Sequence, residues 1–169
     1  MTVSPSLSRA GAAGSSVVLT SLPAAQAEGV ETDLLIVGAG PSGLSAALEA
    51  LQQGARVTVI DMWSIFGGHG VLSGGVLSIV DTPRQRAEGI EDSPELAYQD
   101  FIEWGEDNNT EWVRFYVNNS RELIYDWVTG MGREFRSVGR QAGNRVPRIH
   151  STLGGGRALV TTLYRECLK

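Results

Sequence analysis

An α/β fold wound on a parallel sheet is predicted by three observations between Asp33 and Asp61. The apolar run Leu34-Leu35-Ile36-Val37 is long enough for a buried parallel strand and too short for a helix. It leads into Gly38, Gly40 and Gly43 at G-x-G-x-x-G spacing, then into a helical pattern of Leu44, Ala47, Leu48 and Leu51 that stops at Gly54. A second apolar strand, Val57-Thr58-Val59-Ile60, ends on Asp61. Strand, glycines, helix, strand and terminal acid fall in the register of a doubly wound, Rossmann-like unit.

Each part suits a dinucleotide. Gly38 permits the tight turn off the first strand, and Gly40 lets backbone approach a pyrophosphate without a Cβ in the way. Pro41 and Ser42 open the helix, whose first N–H groups and positive dipole end face the phosphates. Gly43 lets the helix pack close to the sheet. Asp61 lies 18 residues after Gly43, at a strand tip where a carboxylate can accept hydrogen bonds from an adenosine ribose. Such charge-assisted bonds contribute roughly 1.5–3 kcal/mol each.

The 169 residues are one domain by length. A net charge of -5 argues against a general nucleic-acid binder. No apolar run approaches the ~20 residues a transmembrane helix needs. The single Cys167 excludes an internal disulfide and a cysteine cage for metal, and reads as a small buried thiol. Residues 1–30 read as a leader ahead of a fold that starts near Glu31. Its weakly apolar stretch is centred on Val17-Val18-Leu19 and precedes Ala25-Gln26-Ala27, which fits an A-x-A cleavage site. Two readings stand: an export signal removed before Glu28, giving a periplasmic or secreted protein, or a disordered leader on a cytoplasmic one.

A second glycine-rich segment, residues 66–80, follows Asp61 directly. Gly67-Gly68 and Ser73-Gly74-Gly75 bracket His69-Gly70-Val71-Leu72. So many glycines point to backbone lying against something flat or phosphorylated, with a mobile connection as the alternative. The strand end from which the segment departs is where a ligand of this fold sits.

The stretches DLLIVGAGPSGLSAALEA, VTVID and GGHGVLSGG resemble the flavoprotein family of fumarate reductase, the succinate dehydrogenase flavoprotein and the 3-ketosteroid dehydrogenases. The later GGGRALVTTLYREC is similar to a Gly-x-x-Leu-x-x-x-Leu-Tyr helix of the same family. The resemblance implies FAD as cofactor, with Gly38, Gly40, Pro41, Ser42 and Gly43 on its pyrophosphate and Asp61 on its ribose. Gly67, Gly68, His69, Gly70, Ser73, Gly74 and Gly75 would follow along the ribityl chain and flavin. In succinate dehydrogenases a histidine of this loop is joined covalently to the flavin. Here the spacing to the glycine pair is one residue shorter, so a covalent link, a contact with FAD and an incidental loop histidine all stay open for His69.

The remainder reads as a helical insertion followed by an extended or looped stretch. Ser93-Pro94-Glu95 starts a helix that carries Leu96, Ala97, Phe101 and Trp104 to a stop at Gly105. Thr110 and Ser120 are candidate caps for two more helices, with Trp112, Val113, Phe115 and Tyr116 on one and Leu123, Ile124 and Trp127 on the other. These aromatic stripes read as core. The acids between Asp81 and Glu111 read as a solvated face. Arg133, Arg136, Arg140, Arg145, Arg148 and Arg157, with His150 among them and only Glu134 opposing, read as a basic surface or as an attractor for anionic substrate or FAD phosphates. Pro147 and the glycines at 139, 143 and 154–156 predict an extended or looped segment rather than a helix, up to a final helix.

No triad order suggests a hydrolase, two histidines and one cysteine make no convincing zinc site, and no G-x-x-x-x-G-K-[ST] loop is present. The resemblance further implies that the substrate-capping domain, the catalytic residues and a closing strand come later in longer relatives. Residues 31–169 are thus expected to be the N-terminal part of an incomplete FAD-binding domain, and no catalytic residue is assigned. The expected activity is FAD-dependent oxidoreduction of a small substrate, with an electron-transfer partner as a further expectation. A nicotinamide (NAD(P))-dependent dehydrogenase and a non-catalytic nucleotide-binding remnant are the alternatives.

Overall fold

A computed structural model describes residues 17–19 and 29–169. They form two compact units, one from the chain up to Gly68 together with Leu163–Lys169, the other from His69–Thr162. The leader expected over residues 1–30 lies outside the described residues, except at Val17–Leu19, Gly29 and Val30.

The first unit holds a parallel sheet in the order β1-β3-β2, with β1 at Val17–Leu19, β2 at Leu34–Val37 and β3 at Val57–Ile60. Helix α1, Pro41–Gln52, joins β2 to β3 and buries Leu44, Ala47 and Leu48. The predicted strand–helix–strand unit is therefore present in its predicted order. Asp33 bonds the backbone N–H and guanidinium of Arg56, which staples the starts of β2 and β3 and holds its own carboxyl down at about 2.

Register settles which side chains face the helix. Ile36 pairs with Val59, and its Cγ2 lies 3.3 Å from where a Cβ on Gly43 would sit, so this face looks onto α1. Val57 and Val59 are buried. On the opposite face Leu35, Val37 and Ile60 stay exposed, Val37 by 79%. The burial expected of β2 is thus only partial. Among the described residues β2 is an edge strand with a helix on one face, whereas parallel sheets are ordinarily covered on both.

The second unit contains an antiparallel sheet in the order β4-β6-β5, from Val76–Ser78, Ile149–Thr152 and Phe135–Gly139. The sequence reading expected loop at Val76–Ser78 and an extended or looped segment around the other two strands, so β4 is the element it did not anticipate. The glycines of these stretches hide the period-two alternation that would mark strands, and pairing is completed only between partners far apart in the chain. Helix α2, Pro83–Ala87, begins with a reciprocal capping box between Thr82 and Gln85. Helix α3, Pro94–Trp104, starts and stops as predicted, with Ser93 Oγ accepting from Leu96 N and Gly105 at its end.

The expected caps at Thr110 and Ser120 are corrected. Asn109 caps α4, Thr110–Ser120, by accepting from Trp112 N. Ser120 has helical dihedrals, and its buried hydroxyl accepts from Val80 N, so the chain runs on through a π-helical segment, Arg121–Asp126, into α5, Trp127–Gly130. Two clusters make the core of this unit. Val80, Ala97 and Val117 gather Phe101, Val113 and Tyr116, while Ile79, Val128 and Phe135 gather Ile124, Tyr125, Trp127 and Leu159. Trp104, Trp112 and Phe115 are exposed instead, which corrects the reading of every aromatic here as core. Trp104 lies over Gly143, where a Cβ would come within 2.5 Å of its ring.

The acidic face and the basic run are corrected as well. Arg148 is fully buried, paired with the buried side chains of Asp92 at 2.7 Å and Asp100. Burial draws the guanidinium pKa down, and the two carboxylates more than restore it. His150 is buried beside this triad. Its Nδ1 donates to Arg148 O at 2.7 Å, which leaves Nε2 to accept from Thr82 Oγ1 at 2.7 Å, and Tyr125 and Phe135 meet its ring edge-on.

Burial holds the imidazole below its ordinary pKa of 6.5, despite opposing help from the Arg148 carbonyl, Glu88 and Asp92. The unfolded chain therefore binds the proton first as pH falls. Stability is expected to be full above about pH 6.5 and to decline below it until the folded-state pKa is reached. Urea titrations between pH 7.5 and 5.5 check this, and His150→Gln should flatten the slope.

Candidate cofactor site

In the first unit the glycine loop is laced to its neighbours by three hydrogen bonds. Gly38 N donates to Ile60 O at 2.7 Å, Ala39 N to Asp61 Oδ2 at 2.6 Å, and Gly67 N to Ala39 O at 2.7 Å. Gly38 has φ +106°, a conformation that side-chain-bearing residues rarely adopt. Gly40 is the N-cap of α1 and Pro41 its first residue, with Ser42 exposed in the first turn. No side chain among the described residues caps this helix, and its first turn carries no acid, so its N–H groups are left for an anion.

The glycines divide by what a Cβ would meet. At Gly43 it would lie 1.9 Å from Gly38 O, so this glycine serves close helix–strand packing, as expected. At Gly40, and equally at Gly38, it would meet nothing within 4 Å. The space over the loop is open, which is the fit a pyrophosphate requires. Asp61 stands beside it at the end of β3. The N–H groups of Ala39 and Trp63 stabilise its charged form and lower its pKa.

Gly67 and Gly68 close this half, with Gly67 buried and the Cβ direction of Gly68 3.6 Å from Gly40 Cα. Phe66 stacks on Tyr164 at 3.8 Å between ring centroids, and Cys167 lies buried with its thiol 3.5 Å from Leu44 O. Burial pushes that thiol up to about 11, so it is inert, as the sequence reading expected.

In the second unit His69 is exposed within a 3₁₀ turn. Ser73 Oγ donates to Gly70 O at 2.9 Å and accepts from Gly75 N at 3.3 Å. A Cβ on Gly75 would sit 2.2 Å from Gly156 N, and one on Gly156 2.1 Å from Ser73 Oγ. These glycines therefore serve close packing at the start of α6, Gly155–Cys167. Gly74, by contrast, faces open space. The sequence reading missed Ala39 N and the Gly155–Gly156 pair as packing partners. The glycine doublets near both ends of the segment were the available signal.

Helix start, open glycines and strand-end carboxylate define a dinucleotide-binding α/β protein of the Rossmann type. More narrowly, the chain belongs to the FAD binding domain family, whose family model matches residues 33–169, and FAD is the cofactor this membership indicates. It is 35% identical to the fumarate reductase (cytochrome) of Shewanella frigidimarina over 81% of this chain and 24% of that protein. To a KsdD-like steroid dehydrogenase of Mycobacterium tuberculosis it is 36% identical, over 83% of this chain and 28% of the relative. The open conformation of a flavocytochrome c3 fumarate reductase superposes with a TM-score of 0.74 at 32% identity, covering 79% of this chain and 24% of that one. The chain therefore spans about a quarter of the length of the curated relatives it matches. Among the described residues no helix is long and apolar enough to cross a membrane, and no cluster of three ligating side chains could hold a metal ion.

Proposed function

We propose that the protein is an FAD-dependent oxidoreductase of the fumarate reductase and succinate dehydrogenase type, acting on a carbon–carbon single or double bond of a small substrate. The observation that carries this reading is the uncapped N-terminus of α1 beneath an open Gly40, with the Asp61 carboxylate beside it. Bound FAD supplies hydride exchange. The chain's own residues bind and orient: the first-turn amides of α1 take the pyrophosphate, and Asp61 accepts from the ribose. Gly40 keeps that approach free of a side chain. His69, Gly70, Ser73, Gly74 and Gly75 are proposed to meet the ribityl chain and flavin, on the resemblance alone. Gly75 has a packing role in any case.

The gene expressed over its whole reading frame is expected to give a yellow protein with the two absorption bands of oxidised flavin. A colourless product that takes up NADH but not FAD would overturn the reading in favour of a nicotinamide enzyme. A product that binds neither would point to a non-catalytic remnant. Denaturing the yellow protein tests His69, because a covalent link keeps flavin on the chain and non-covalent binding releases it. Reoxidation by a partner redox protein is the expected route for electrons. N-terminal sequencing reads the leader, a start at Glu28 marking export.

A further inference from the structure

Asp61 is positioned to meet a ribose, yet each of its oxygens already holds a backbone N–H. Oδ2 accepts from Ala39 at 2.6 Å and Oδ1 from Trp63 at 2.8 Å. Ala39 is the middle residue of Gly38-Ala39-Gly40 and only 3% exposed. Two of the three bonds that lace this loop, Gly38 N to Ile60 O and Gly67 N to Ala39 O, are backbone to backbone and survive any substitution. The third depends on one side chain.

Flexible glycines flank Ala39 on both sides, so without that third bond the loop samples many conformations, most of them unsuited to a phosphate. A carboxylate has about four acceptor sites, so both N–H bonds leave room for a ribose hydroxyl. The geometry points to a second duty for Asp61: a positioning residue that fastens the glycine loop in its phosphate-binding shape whether or not a ribose is present. This rests on the reading of the loop as an FAD site. A carboxylate gripped by two N–H groups also stays charged below the ordinary carboxylate range, which keeps the fastening in place at mildly acidic pH.

The test compares two ligands that differ only in the ribose hydroxyls. ADP and 2′,3′-dideoxy-ADP are titrated calorimetrically into the whole protein freed of flavin, as wild type and as Asp61→Asn. The expected result is a loss of about ten-fold in affinity for dideoxy-ADP and a larger loss for ADP, which also forfeits the ribose contact. Amide exchange should accelerate at Ala39 while Val59 stays protected, a selectivity that general destabilisation would not give.

A loss for ADP with dideoxy-ADP unchanged would overturn the inference and leave Asp61 as a ribose contact alone. Unchanged affinity for both would overturn it too. If wild type binds neither ADP nor FAD, the FAD reading fails and this inference with it. Should Asp61→Asn not fold, Asp61→Glu reads the same contrast, because the longer arm keeps two acceptors but displaces them. A loss for dideoxy-ADP supports the fastening, and a loss confined to ADP sinks it.

Discussion

Arg148→Met is expected to lower the stability of the second unit by about 3–5 kcal/mol, the cost typical of breaking a buried ion pair from one side. The side chains of Arg148, Asp92 and Asp100 are at most 1% exposed, so removing the guanidinium strips Asp92 of its cation and leaves Asp100 with only the half-exposed Arg145, 3.3 Å away. Asn144, Gln85 and the capped start of α2 lose their shared anchor as well, since Asn144 Oδ1 accepts from Arg148 and Asp92 accepts from Gln85. Urea denaturation followed by far-UV circular dichroism measures the shift in midpoint. Adding Asp92→Asn and Asp100→Asn to the same background should recover part of the loss, because the penalty belongs to the uncompensated charges. A near-neutral Arg148→Met would show that the triad contributes little.

Gly43→Ala and Gly40→Ala are expected to fail for opposite reasons. At position 43 the new methyl would sit 1.9 Å from Gly38 O, a backbone atom with nowhere to retreat. Helix α1 must lift from β2, at about 1–3 kcal/mol of overpacking or more, and FAD affinity should fall with stability. At position 40 the methyl enters open space, and the backbone there, φ -74° and ψ -177°, suits alanine. Thermal stability of the flavin-free protein should therefore stay within about 0.5 kcal/mol of wild type, as for substitutions away from packed features. FAD affinity should nevertheless drop by one to two orders of magnitude, roughly the 1.4–2.8 kcal/mol of losing close approach to the pyrophosphate. Melting curves set against flavin fluorescence titrations separate the two. Equal behaviour of the two variants would mean that the open space above Gly40 is not where a ligand lies.

The sequence by itself determined the strand–helix–strand unit, its glycine spacing and its terminal acid. Each of these is local: an apolar run of four, a glycine that frees a turn, a proline and serine opening a helix. The start of α3 was legible for the same reason, since Ser93, Pro94 and Gly105 act through hydrogen bonds within a few residues. What only the tertiary structure decided involves partners far apart in the chain. Arg148 reaches Asp92 across 56 residues, and Ser120 is taken from its expected capping role by Val80, 40 residues away. Gly75 is small because Gly156 packs on it, and β4 and β5 are strands because β6 lies between them. Charge and periodicity show that a residue can be buried or paired, but choosing its partner is a matter of the folded chain's geometry. At Asp61 the acid and its place were written locally, whereas its bond to Ala39 exists only once β2 and β3 lie side by side.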